Sequence, residues 1–279
     1  MMAKTRITVL VEDTASGPGL LAEHGLAYWI EYDDHRVLLD SGQGGALMSN
    51  AHTLGIRLSD IEALALSHGH YDHTGGVAEV LGICQSVAVH AHPAALAHKF
   101  VRNNDGTARE IGMPDLSVKA IRDLHHRLVI TNQPIAVFDE LAVSGPVPWS
   151  ADFEDTGGPY FLDEICTQPD PLKDDQSMFF STSKGTVVLL GCAHSGVINT
   201  LHHIRRLTNN RPIHAVIGGM HLVNASPHRI ERTIEELRKI GVERLAPAHC
   251  TGMQATRALS KAFPGQCQPC SVGTRFEFN

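Results

Sequence analysis

The segment "SDIEALALSHGHYDHTGG" constrains this chain more than any other. A short apolar run reads as a buried strand and leads directly into a loop carrying His68, His70, Asp72 and His73. Neutral imidazole and carboxylate are the donors that zinc and its divalent neighbours accept. Four donors in six positions are more than one tetrahedral ion can take while leaving a place for water. The simplest division puts His68 and His70 on one ion and Asp72 and His73 on a second. Gly69, Gly75 and Gly76 let the backbone turn tightly around them.

Such a loop needs partners, and strand ends on one edge of a sheet are where sites of this kind assemble. Three further histidines end apolar strands after small-residue turns: His194 in "VVLLGCAH", His221 in "AVIGGMH" and His249 in "RLAPAH". Histidine is abundant, 18 of 279 residues, so most of the others carry no special role. His24, His35, His52, His98, His125, His126, His202, His203, His214 and His228 read as ordinary surface or structural residues. Ser195, beside His194, fits a helix N-cap better than a nucleophile. Cys250 reads as a small packing residue. The "CQPC" spacing of Cys267 and Cys270 is incidental.

Along the chain, "RITVLVED" reads as a first strand and "LAYWIEYDDHRVLLDSG" as a hairpin turning at Asp33-Asp34, with Asp40 at its end. Helices are expected over "GALMSNAHTLG", "GGVAEVLG" and "PAALAHKFV", with a strand at "SVAVHAHP". From about residue 101 to 175 the pattern weakens into an elaborated connection, an insertion or lid within one domain spanning 1–279. Regularity returns with the hairpin "SMFFSTSKGTVVLLGCAH" and then alternating helices and strands. One helix starts at Ser195. Another runs from Ser226 and Pro227 to Gly241. Sheets packed face to face with helices outside suit this order.

A net charge of −7 without a basic stripe excludes a general nucleic-acid binder. No window approaches the roughly 20 apolar residues of a membrane span. The apolar run at the start is too short for a signal peptide, and the six cysteines are scattered. The expectation is a cytoplasmic protein acting on a small molecule, with no nucleic-acid or membrane partner and self-association into a homo-oligomer left open.

The segments "LLDSG", "SHGHYDHTGG", "GCAHSG" and "PAHCTG" resemble, in order, the metal-site segments of the metallo-β-lactamase fold. "DDQSMFF", "GCAHSGVINT", "IGGMHL", "HCTG" and "VGTRFEF" are similar to the subgroup of 7,8-dihydropterin-6-yl-methyl-4-(β-D-ribofuranosyl)aminobenzene 5′-phosphate synthase-like proteins. The resemblance implies an α/β, four-layer αββα sandwich with a metal centre at one edge. It implies His68, His70 and His194 on one ion and Asp72, His73 and His249 on a second. Asp40 resembles the buried aspartate that orients the ligand loop through hydrogen bonds. Asp174 and Asp175 match a subgroup motif, and a plain acidic loop is an equal reading.

One departure stands out. Dinuclear members of the family carry a bridging aspartate between the equivalents of His194 and His249, and this chain has no aspartate after Asp175. His221 stands near that place, to ligate or to line the site; with Asp72 it is the candidate for contact with reacting groups. The implied cofactor is one or two divalent ions, zinc first, with manganese or iron as alternatives.

The resemblance implies a metal-dependent hydrolase acting on a small anionic (phospho)ester. The alternatives are a synthase-like transferase of the named subgroup, and a metal-bound sensor or scaffold without turnover.

Overall fold

The computed structural model describes residues 3–84, 86–124 and 127–279. His125 and His126, read above as ordinary surface residues, lie outside them. The front of the chain forms β1 (Thr5–Val11), β2 (Ala27–Tyr32), β3 (His35–Leu39), α1 (Leu47–Thr53), β4 (Ala63–Ala65), α2 (Tyr71–Thr74), α3 (Val77–Ile83) and β5 (Ala88–Ala91). The middle forms β6 (Phe100–Arg102), β7 (Ala108–Glu110), α4 (Asp115–Arg122), β8 (Leu128–Ile130), β9 (Ile135–Phe138), β10 (Leu141–Val143) and β11 (Tyr160–Phe161). The back forms β12 (Met178–Thr182), β13 (Gly185–Leu190), α5 (Val197–Leu207), β14 (Ile213–Gly219), α6 (Pro227–Ile240), β15 (Arg244–Ala248), α7 (Met253–Ala262) and β16 (Arg275–Phe278).

Two large sheets result, ordered β16-β1-β2-β3-β4-β5-β8 and β15-β14-β13-β12-β10-β9, with a small third sheet β11-β6-β7. Side chains alternate across a strand, so a strand covered on both faces can be apolar throughout. β13 shows this directly: Val187 and Leu189 face the other sheet, while Val188 and Leu190 face helices. Between the sheets lie Ile7, Val9, Tyr28, Ile30, Phe180 and Ile217. Outside the first sheet, Leu38 and Leu64 pack on Leu47, Val77, Val80 and Ile121 of α1, α3 and α4. Outside the second, Val216 packs with Leu201, Leu237 and Leu259 of α5, α6 and α7. The layers are therefore helix, sheet, sheet, helix. No helix among the described residues is long and apolar enough to cross a membrane.

Within 101–175, where the sequence pattern weakens, β8 extends the first sheet and β9 and β10 extend the second. Only β6, β7 and β11 stand apart as their own sheet. The helix expected over "PAALAHKFV" is one 3₁₀ turn, Pro93–Leu96, followed by β6. Just before β6, Lys99 is fully buried with its Nζ 2.7 Å from Asp170 and 2.9 Å from Asp174, which anchors the extended chain there.

The start of α5 is a second correction. Its N-cap is Gly196, at φ 95°, and not Ser195. Glu154, far away in sequence, accepts the backbone N–H groups of Ile198 and Asn199 at 3.0 and 2.8 Å, which satisfies the helix end from outside. By contrast, α6 keeps its expected Ser226 cap, Pro227 first position and left-handed Gly241.

Candidate metal centre

β3 and β4 run parallel in one sheet, and β13, β14 and β15 in the other. Their C-terminal ends meet at one edge of the sandwich. Asp40 follows β3, the His68–His73 loop follows β4, and His194, His221 and His249 follow β13, β14 and β15. Asp40, Ala193, His221 and His249 all adopt left-handed backbone, with φ between 43° and 60°. That conformation is uncommon for residues with a side chain and concentrates at working sites.

Three buried imidazoles converge first. His70 Nδ1 lies 3.0 Å from His68 Nε2 and 3.2 Å from His194 Nε2. Two nitrogens bound to one tetrahedral zinc at 2.0–2.1 Å would stand about 3.3 Å apart. The outer hydrogen bonds fix which nitrogen faces inward. His194 Nδ1–H donates to the Thr156 carbonyl at 3.0 Å, leaving Nε2 as a lone pair. Ser67 donates its hydroxyl to Asp40 at 2.6 Å and accepts from His68 Nδ1–H at 2.9 Å, with the same result. Burial holds His68 and His194 well below the usual imidazole range and pushes His70 down to about 3, so all three are neutral. His70 Nε2 is buried and has no hydrogen-bond partner among the described residues.

A second group sits beside the first. Asp72 Oδ2 lies 3.3 Å from His249 Nε2 and 3.9 Å from His73 Nε2. His73 Nδ1–H donates to Asp40 at 2.7 Å, and His249 Nδ1–H donates to Asp13 at 2.6 Å. Burial works against ionisation of Asp72. The hydrogen bond from His249 and the charges of His73 and His249 outweigh it and hold the carboxyl well below its ordinary range. Burial likewise lowers His249, but Asp13 and Asp72 together raise it well above the imidazole range. This spot therefore favours positive charge. Together the two groups fit divalent ions: three neutral nitrogens in the first, and in the second an ionised carboxylate at a spot that favours positive charge, all inside a buried edge.

The "DDQS" segment straps both ligand loops. Asp174 accepts Gly69 N–H at 2.8 Å while holding Lys99. Asp175 accepts the N–H groups of His194 and Ser195 at 3.0 and 2.8 Å. Burial pushes the Asp175 carboxyl up to about 6 despite those bonds. Gln176 reaches Leu66 O and Ser67 O on the strand leading into the loop. An acidic surface loop is thus excluded for Asp174 and Asp175, which are both buried.

A cleft of about 250 Å³ opens over the centre, lined among others by Tyr160, Arg109, Asp72 and His221. His221 stacks edge-on to His194 at 4.3 Å and receives the Tyr160 hydroxyl on Nε2 at 2.8 Å, while its Nδ1 has no partner among the described residues. Among the described residues, donor atoms within 4.8 Å of one another form three groups: His68, Cys192 and His194; His73, Cys192 and His249; and Asp13, His24 and His249. His70, Asp72 and His221 fall in none of them.

Sequence reasoning passed over several residues found here. His24, read as ordinary, sits at the rim with Nδ1 3.1 Å from Asp13 and Nε2 3.3 Å from Asp72. Asp13 follows β1 at the same sheet edge, and the strand-end argument used for His194 would have found it. Cys192 lies two positions before His194, with Sγ 3.2 Å from His73 Nε2. Tyr160 stands in the irregular stretch and carried no sequence signal.

A family model described as the metallo-β-lactamase superfamily matches residues 21–249. The chain is 28% identical to the 7,8-dihydropterin-6-methyl-4-(beta-D-ribofuranosyl)-aminobenzene-5′-phosphate synthase of Methanocaldococcus jannaschii, over 98% of this chain and 96% of that protein. It is 30% identical to an uncharacterized protein of the same organism, over 91% and 94%. A solved structure described as a metal-dependent hydrolase of the β-lactamase superfamily matches with TM-score 0.82 at 28% identity, covering 99% of each chain. Zinc-bound PqqB from Methylobacterium extorquens matches at TM-score 0.57 and 13% identity, covering 97% of this chain and 99% of that one, a likeness of fold alone.

Proposed function

Starting from the membership of this chain in the metallo-β-lactamase superfamily, we propose that it is a metal-dependent hydrolase of small anionic phosphoesters or related esters. The observation that carries this reading is the trio of neutral rings, His70 Nδ1 standing 3.0 and 3.2 Å from His68 Nε2 and His194 Nε2, with His68 and His194 turned inward by hydrogen bonds to their outer nitrogens. His68, His70 and His194 would hold one divalent ion, zinc first, and Asp72, His73 and His249 a second. When bound, such ions lower the pKa of water from 15.7 to about 7 and polarise a phosphoryl or carbonyl oxygen.

The protein's own groups do the rest. Asp72, held ionised, orients the attacking water. Tyr160 and His221 form the wall of the cleft against which substrate is placed. Arg109, at the cleft, has no carboxylate partner among the described residues and meets the substrate's negative charge. The 101–175 stretch serves as the cover, supplying Arg109, Tyr160 and the Thr156 carbonyl that aims His194.

A second reading is favoured by the 28% identity to the M. jannaschii synthase over nearly the whole chain. In it the same residues would hold ions that supply positive charge for a departing diphosphate, as a pterin diphosphate is joined to an aminobenzene ribotide. Elemental analysis of protein purified without chelator, paired with assays on a phosphodiester, a carboxylic ester and the pterin pair, separates the readings. Hydrolysis with one or two bound ions supports the first, and diphosphate release from the pterin pair supports the second. Bound metal with no turnover on any substrate would leave a sensor or scaffold. His68→Ala should lose more than the roughly 100-fold that outer hydrogen-bond partners of a metal site cost. Full activity in that variant would overturn the assignment.

A further inference from the structure

We propose that the Cys192 thiolate is a ligand shared by both ions, standing where this chain lacks the bridging carboxylate. The inference rests on the metal-centre reading above and adds a donor that the resemblance does not supply.

The two trios of ring and carboxylate donors need something between them. No aspartate follows Asp175. Between His194 and His249 the acidic residues are Glu231, Glu235, Glu236 and Glu243, all of them on α6 or just after it and none buried. Cys192 is buried and lies in the turn after β13. Its Sγ, with donor atoms of His68 and His194, forms one group in which all atoms lie within 4.8 Å of one another. The same Sγ forms a second such group with His73 and His249. Cys192 is the residue common to both. Its 3.2 Å separation from His73 Nε2 is near the roughly 3.5 Å expected for sulfur and nitrogen on one zinc, from bonds of about 2.3 and 2.05 Å.

The end of β14 leaves no room for a side chain. A Cβ at Gly219, the last residue of β14, would stand 2.6 Å from Cys250 Sγ and 3.3 Å from Cys192 Cα. An aspartate at that strand end has no room. A Cβ at Gly191 would run into the Ser67 side chain. These two glycines let the turn carrying Cys192 sit against the ligand loop. Cys250 lies beside it on the cleft wall, its Sγ 3.7 Å from the Cys192 carbonyl. With ions bound, Cys192 would serve as a thiolate, its proton released to solvent and its two free lone pairs available for donation.

X-ray absorption on the zinc-loaded full-length protein, with absorption spectra of the cobalt(II) form, tests this. The expected result is a sulfur shell at about 2.3 Å and a thiolate-to-cobalt band in the near ultraviolet. Both should vanish in Cys192→Ser and persist in Cys250→Ser, and bound metal should fall from two equivalents to one. Cys192→Ala, checked by circular dichroism, provides the same comparison should the serine variant misfold. Metal bound with only nitrogen and oxygen neighbours in the wild type would overturn the thiolate and leave the centre standing. A sulfur signal lost with Cys250 and kept without Cys192 would also overturn it. No bound metal at all would overturn both this inference and the proposed function.

Discussion

Asp40 stands behind the ligand rings and accepts from three donors at once: Ser67 N–H, Ser67 O–H and His73 Nδ1–H. Through Ser67 it also sets His68. Asp40→Asn would replace one accepting oxygen by an N–H₂ that cannot accept from imidazole or hydroxyl. The expected outcome is metal affinity about 10- to 100-fold weaker, read by competition with a chromogenic chelator. Affinity equal to wild type would remove the orienting role. At this scale the sequence is legible where donors repeat at strand ends, as with His68, His70, His73, His194 and His249. It is silent where a residue earns its place through folding alone. His24 and Tyr160 come from a loop and a two-residue strand, and nothing in their neighbours announces the cleft they face.

Among the elements, α5 carries a titration that belongs to its own start. Glu154 accepts two of its first N–H groups, yet burial raises the carboxyl from 4.5 to about 7. A folded pKa above the unfolded one means the folded state holds the proton more tightly between those values. This contribution is fully present below pH 4.5 and is lost as pH rises through about 7. Glu154→Gln should therefore flatten the fall in stability between pH 5 and 8, by on the order of 2–3 kcal/mol. Urea unfolding of both proteins across that range reads the difference, and parallel curves would contradict it. The mistaken Ser195 cap has the same origin as this effect. A local cap can be read from neighbouring residues, whereas a carboxylate arriving from another part of the chain cannot.

For the molecule as a whole, each sheet contributes donors to the same edge, so bound ions join the two halves of the sandwich. Stripping the ions should lower the melting temperature by roughly 8 °C. That follows from about 4 kcal/mol at a thousandfold excess over the dissociation constant and about 2 °C per kcal/mol in a chain of this size. Calorimetry before and after chelation, with zinc added back, measures it; an unmoved transition would argue against ligation across the sheets. The sandwich itself was readable from the front hairpin and the alternating back half, where apolar periods are long and regular. The middle was not, because β6 to β11 are two to four residues each and mostly half-exposed, too short to show a period.

The order in which the donors are synthesised gives the centre a history. The loop holding His68, His70, Asp72 and His73 leaves the ribosome well before His194, and His249 follows later still. A growing chain thus carries four of the candidate donors long before the others exist. Only when β15 has docked beside β14 do all six side chains face one another, so the complete set belongs to the finished sandwich and to no earlier part of the chain.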